Sequence, residues 1–492
     1  MRLLTGPEQP REVVTTPDYR YAARRVAPPE DGRYLDVRER VANEDTDPGA
    51  LRRVYRKATR PGAVTRTPRG AGARRLLLLV PAVIGLALAT AACGGGSPSG
   101  GPVRTTGTAP PPLTVLTRDP GGGQGDIFIA PAGGSYAAGP EIVTTTGKVV
   151  WFHRLPVGEV ATDFRTQTYL GEPVLTWFQS TPPPAPTRQP EGLGAQGGPG
   201  GASAQVSPDG PSGTDYIYDE RYDEIATVRA GNGDTTNFHE FLITPWDTAL
   251  VLADTVTTAN LTSIGGPADQ RVIDGFVQEI DIRTGRVLFQ WDSAGHVPYS
   301  DSYEPRPSSP STPWDWFHIN AVHLDTDGNL LVSSRNTWTI FKVDRHAGQI
   351  MWQLGGKHSS FTLRAAPGQV LDRDGKIFAW QHDPEAIGGG EYTFFDDESG
   401  GNLLGSSRAV TVRLDLATRV ATLIKSDDQS EGKVAQLMGN AQTTPGGDLF
   451  VGWGALPFIS EFSPSGKLLF NAKLPTGVST YRAYFLPWHP PG

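Results

Sequence analysis

Three histidines, His239, His318 and His382, stand at nearly the same spacing ahead of an apolar strand residue: Val251, Leu331 and Phe394 respectively. Asn440 stands likewise ahead of Phe450. An imidazole can act as a nucleophile, an acid or base, or a metal ligand, and three of them could hold a cation. Arg335 points to other chemistry, because a guanidinium beside a cation is unfavourable. Its planar fork instead suits a tetrahedral oxyanion such as sulfate or phosphate, so no metal is expected. Asn320, two residues after His318, shares its face if both lie on a strand and would add an amide donor. A histidine nucleophile, a histidine acid or base and an oxyanion clamp together describe group transfer through a covalent histidine intermediate. His323, His346, His358 and His489 lack the shared phase and are read as structural or exposed.

Residues so far apart in sequence need a repeating fold to bring them together. The stretch Asp315–Gly356 reads as strand, turn, strand, turn, strand with polar residues at one end, the layout of a propeller blade. A strand, a short turn and a strand recur at Ile142–Phe152, Tyr218–Arg229, Phe276–Trp291, Ile340–Leu354, Val410–Ile424 and Ile459–Phe470. From Asp126 the sequence signals are all-β, and six units predict a six-bladed β-propeller over residues 125–492. Equivalent positions of successive blades ring the central channel, so the phased histidines should converge there. A sandwich of hairpins is the competing architecture, since it also gives evenly spaced short strands. The Pro- and Gly-rich run Ser180–Gly213 reads as a loop on one face.

The rest of the chain bears on location. Residues 1–75 are rich in Arg, Pro and Gly and read as a disordered N-terminal region. Arg74 and Arg75 precede the apolar run Leu76–Ala92, expected to be one hydrophobic helix. Cys93 closes it, and residues 94–124 read as a flexible linker beginning with the tether Gly94–Gly101. A positive flank, an apolar core and small residues before a boundary describe a secretory signal. Thr90-Ala91-Ala92-Cys93 resembles a bacterial lipobox, which implies lipidation of Cys93. The leader before the apolar run suggests either a start downstream of Met1 or a retained single-pass anchor with its Arg side inside. Each reading attaches the chain to a membrane and places the propeller on the extracytoplasmic face. Net charge −8, with no basic stripe after residue 80, argues against a nucleic-acid partner. Cys93 is the single cysteine, so the fold must hold by its core without an internal disulfide.

Several runs carry a resemblance to a known family. Gly171–Trp177, His239-Glu240-Phe241, Asp315–Asn320, Ser333-Ser334-Arg335 and Gln381-His382-Asp383 are similar to the arylsulfotransferase family, in its secreted or lipoprotein actinobacterial and fungal-type branch. The likeness covers roughly Asp126–Gly492. It implies a six-bladed propeller with its site in the central channel, and no cofactor. The implied activity is sulfuryl transfer from a phenolic sulfate ester to a phenol, without a nucleotide sulfate donor. By the same resemblance His382 is the residue that becomes sulfated. His318, Asn320 and Arg335 match positions that bind sulfate and stabilise the transition state. His239 matches the remaining acid/base or binding histidine. Asn440, with Gln442 beside it, stands nearest to a further polar position on a later blade. Glu240 and Asp383, directly after two of the histidines, are features of this branch. The alternative function is a non-catalytic extracellular propeller that binds an anionic ligand or a protein partner.

Overall fold

A computed structural model describes residues 108–123, 125–181, 213–398, 406–429 and 431–488. The expected disordered region, the apolar run, Cys93, the Gly94–Gly101 tether and most of the Pro/Gly-rich loop lie outside the described residues. Among the described residues no helix is long and apolar enough to cross a membrane.

The described chain is six sheets, each of four or five strands and antiparallel but for one edge strand. Every sheet starts from an inner strand on the channel. In chain order these are Val160–Tyr169, Thr235–Ile243, Ile319–Leu324, His382–Gly388, Asn440–Thr443 and Val478–Leu486, taken here as blades one to six. Neighbouring inner strands abut around a closed ring. Closure comes from the ends of the chain. Val478–Leu486 pairs antiparallel with Asp126–Gly133, so the C-terminal strand supplies the inside of blade six and the N-terminal strands its outside. The six recurring hairpins read from the sequence are the outer pairs of the six blades.

Burial on both faces explains the packing. Strands such as Leu330–Ser334 and Thr339–Val343 are buried on both faces, because a blade is covered by a neighbour on each side. Leu250, Leu252, Val277 and Trp291 of blade two meet Val332 and Phe341 of blade three, with Trp316 and Phe317 from the segment that joins the blades. Similar apolar seams lie between the other blades.

Two outer edges differ from expectation. Thr114–Arg118, inside the span read as linker, is a fifth strand on blade five, paired with Leu468–Lys473. Its five residues, Thr-Val-Leu-Thr-Arg, lack the alternation of a strand and carry little signal alone; the free edge of blade five supplies the hydrogen bonds. Thr362–Ala365 similarly adds a parallel strand to the edge of blade four.

Five inner strands carry a bulge at about the same level. Register shifts fall between Thr162 and Arg165, opposite Leu252, at Asn320, between His382 and Glu385, and opposite Ala130 on the last strand. Asp163, His318 and Asp383 there adopt positive φ of 51°, 53° and 55°. Bulges re-aim side chains, and these turn polar groups to the axis where a flat strand would alternate away. Blade five pairs without a shift.

Candidate active site in the channel mouth

The bulges bring the three phased histidines together. The His239 ring centre lies 5.1 Å from that of His318 and 6.4 Å from that of His382. Each ring is gripped at Nδ1. His382 Nδ1 is 2.7 Å from Asp397 Oδ2, and both are fully buried. His318 Nδ1 is 2.5 Å from Asp315 Oδ2, and this pair is partly open to solvent. His239 Nδ1 is 2.5 Å from Asn237 Oδ1, and Asn237 Nδ2 donates to Asp254 Oδ2 at 2.5 Å. With Nδ1 engaged, Nε2 is the nitrogen left to act on a substrate.

Arg335 completes the cluster. Its backbone N–H donates to the His318 carbonyl at 3.0 Å, which ties the start of blade three's second loop to its inner strand. The guanidinium lies over the Trp380 ring at 4.8 Å, and its nitrogens donate to the Gln436 carbonyl and Asn336 Oδ1, each at 3.1 Å. It is buried, and among the described residues it makes no ion pair within 4.0 Å. Burial pushes its pKa down, while Asp397, Glu304 and Asp315 at longer range pull it up.

Positive neighbours shape the rings. Burial holds His382 well below the usual histidine range, and Arg335 and His318 push the same way. His239 is likewise held well below it, by burial first and then by His318 and His382. Both are therefore neutral imidazoles at neutral pH, with a lone pair to offer. Burial pushes Asp397 well up, and Arg335 pulls it back.

The two expected amide ligands, Asn320 and Asn440, both bond to backbone groups of the next blade. Asn320 is fully buried, and its Nδ2 donates to the Gln381 carbonyl at 2.7 Å. The bulge at Asn320 breaks the two-residue alternation with His318; the amide nitrogen staples blade three to blade four, while its Oδ1 is buried without a hydrogen-bond partner among the described residues. Asn440 accepts from Ala483 N–H at 2.9 Å and donates to Ala483 C=O at 2.8 Å. Without a bulge, blade five leaves this amide as a staple to blade six.

Beneath the histidines lies a buried ionic layer. Arg482 Nη1 is 2.9 Å from Glu240 Oε2, 3.0 Å from Asp383 Oδ1 and 3.1 Å from Asp163 Oδ1. Arg165 pairs with Glu240 and Asp163. His323 Nε2 meets Asp383 Oδ1 at 3.1 Å and Glu240 Oε2 at 3.3 Å. Burial opposes its charge, but the two carboxylates win and raise it to about 10. Glu240, His323 and Asp383 have ligand atoms within 4.8 Å of one another, a set that could hold a metal ion. The positive charge a metal would bring is already supplied there by Arg482 and protonated His323. Further along the same inner strands, Arg165, Gln167, Glu385 and Gln442 line a separate cavity of about 580 Å3.

The Nδ1 partners and Arg482 escaped the sequence reading. Asp315 sits in a run already singled out, so its spacing to His318 was available. Asp397 lies in the acidic run Asp396–Glu398 after His382, a usable signal. Arg482 carries none, since only ring closure brings the last strand to the axis.

A family model described as Arylsulfotransferase (ASST) matches residues 212–474. No curated protein matches the chain. Among solved structures, a protein of unknown function from Bacteroides caccae is 12% identical, with 73% of this chain and 98% of that one covered at a TM-score of 0.42. A putative 6-phosphogluconolactonase from Bacteroides fragilis is 10% identical, with 77% and 99% covered at 0.34. A mutant of the Synechocystis apocarotenoid oxygenase is 11% identical, with 71% and 70% covered at 0.36.

Proposed function

Because the chain belongs to the arylsulfotransferase family, we propose that it moves a sulfuryl group from a phenolic sulfate ester to a phenol through a sulfated His382, without a nucleotide sulfate donor. The observation that carries this reading is Arg335: a buried guanidinium without a carboxylate partner among the described residues, set beside three imidazoles. Such a site is short of one anion, and a sulfate ester brings one.

His382 is neutral and held at Nδ1, so its Nε2 can attack sulfur. Charge then grows on the equatorial oxygens, where Arg335 stands as the fixed donor. A second histidine passes the proton between the leaving and the incoming phenol oxygen. The kinetics are ping-pong. The test is turnover of 4-nitrophenyl sulfate with phenol as acceptor. Release of 4-nitrophenol that depends on phenol, with sulfate found on a His382 peptide after donor alone, supports the reading. Tight binding of aryl sulfates without turnover would instead favour a non-catalytic anion-binding propeller.

We further propose that the propeller lies outside the cytoplasm as part of a lipid-anchored or single-pass protein, a reading supported by the apolar run Leu76–Ala92 and Cys93. Cys93→Ser should abolish lipid labelling of a lipoprotein. Membrane association with no labelling in the wild type would mark a retained helix, and recovery wholly from the cytosol would defeat both.

A further inference from the structure

The three histidines cluster together but are held at Nδ1 by different chemistry. His318 has a carboxylate, Asp315, at 2.5 Å, and the two side chains are 12% and 13% exposed. His239 has an amide oxygen. Asn237 Oδ1 accepts from both the His239 backbone N–H at 3.0 Å and Nδ1 at 2.5 Å. Its Nδ2 is committed to Asp254, which fixes the oxygen as the acceptor and the Nδ1–H tautomer of His239. Asp254 is itself pushed well up by burial and by Asp315, so the chain behind His239 is neutral throughout. His239 is also stacked on Phe238 at 3.9 Å and met edge-on by Tyr481 at 5.8 Å.

A group that ferries a proton must be comfortable as a cation for part of each cycle. A carboxylate at Nδ1 stabilises that cation, and contact with solvent lets it recover a lost proton. An amide oxygen does far less, and His239 is also crowded by two other imidazoles, Arg335 and Arg482.

We infer that the proton of this reaction travels on His318, with Asp315 as its positioning residue, and that His239 stays neutral and orients the acceptor hydroxyl through Nε2. The inference rests on the proposed sulfuryl transfer and departs from the resemblance, which gives His239 the acid/base or binding role. In the first half, the His382 Nε2 lone pair forms the N–S bond. The S–O bond breaks with its electron pair going to the phenolic oxygen, and the His318 imidazolium gives that oxygen its Nε2 proton. His382 is now an N-sulfonated imidazolium whose Nδ1–H faces Asp397. In the second half the acceptor oxygen attacks sulfur, neutral His318 takes its proton, and the N–S electrons return to His382. The protein ends as it began.

The full chain tests this with two donors, 4-nitrophenyl sulfate, whose phenolate leaves unaided, and phenyl sulfate, whose phenolate needs a proton. kcat/KM for the donor reports the first half alone. Asp315→Asn should lose at least about tenfold more on phenyl sulfate than on 4-nitrophenyl sulfate, while the latter still labels His382. Asn237→Ala should leave the ratio between the two donors unchanged, its loss falling on kcat/KM for the acceptor phenol. An equal loss on both donors for Asp315→Asn overturns the assignment, and so does a selective loss in Asn237→Ala. If Asp315→Asn does not fold, His318→Gln gives the same reading: selective loss supports the role and uniform loss ends it. An inactive wild type would overturn the proposed function itself, an outcome distinct from either slope.

Discussion

The backbone N–H of Arg335 donates to the carbonyl of His318 at 3.0 Å. One hydrogen bond thus sets the spacing between Arg335 and His318, the positive-φ residue at the entry to blade three. It joins the two motifs across one hairpin of blade three. Arg335→Lys keeps the charge but loses the fork and the face-on contact with Trp380. Transfer should slow by about tenfold to a hundredfold, with the sulfated peptide unchanged in identity; rates within about twofold of wild type would remove Arg335 from the clamp.

His382→Asn retains a polar group near Asp397 and removes the attacking nitrogen. The variant should fold, bind donor and show no phenol-dependent release of 4-nitrophenol. Mass spectrometry after donor alone should find sulfate on the wild-type His382 peptide and on no peptide of the variant. Equal activity would end the covalent mechanism.

Arg482 anchors three carboxylates with no exposed surface of its own. Arg482→Met leaves Asp163, Glu240 and Asp383 without that charge. The expected loss is about 3–5 kcal/mol in chemical denaturation, because breaking a buried pair strands its partners. A loss below about 1 kcal/mol would show that Arg165 and His323 suffice.

Stability should fall on the alkaline side. His323 is raised to about 10 in the fold by Glu240 and Asp383, against about 6.5 in an unfolded chain. A raised pKa means its contribution is whole below about pH 6.5 and drains away as pH climbs toward 10. The denaturation midpoint of the wild type should drop across that window, and His323→Gln should flatten the drop. Parallel curves for the two proteins would contradict it.

Asn440 and Asn320 should behave as staples. Asn440→Ala leaves the Ala483 N–H and C=O buried and unpaired, at a cost of about 1–3 kcal/mol. Folded variant should keep donor KM within about twofold of wild type; a large rise in KM with stability intact would return Asn440 to the substrate site.

The architecture was legible because its signals are local. Each outer hairpin carries its own alternation and turn residues, so the six repeats, and with them the blade count, could be read directly. The histidines and Arg335 were legible because a repeat fold converts shared phase into shared location. Asn320 and Asn440 were not, because phase assumes a regular strand. Bulges at Asn320 and beside His382, and the absence of one in blade five, decide which side chains reach the mouth, and a bulge is a tertiary compromise with no residue signature of its own. The strand Thr114–Arg118 was hidden for a related reason: an edge strand without alternation exists only where a free edge awaits it. The ionic layer under the site belongs wholly to the tertiary structure. Arg482, Glu240, Asp383 and Asp163 come from four different blades, and only closure of the ring by the last strand takes these charges out of water together, where pairing becomes obligatory.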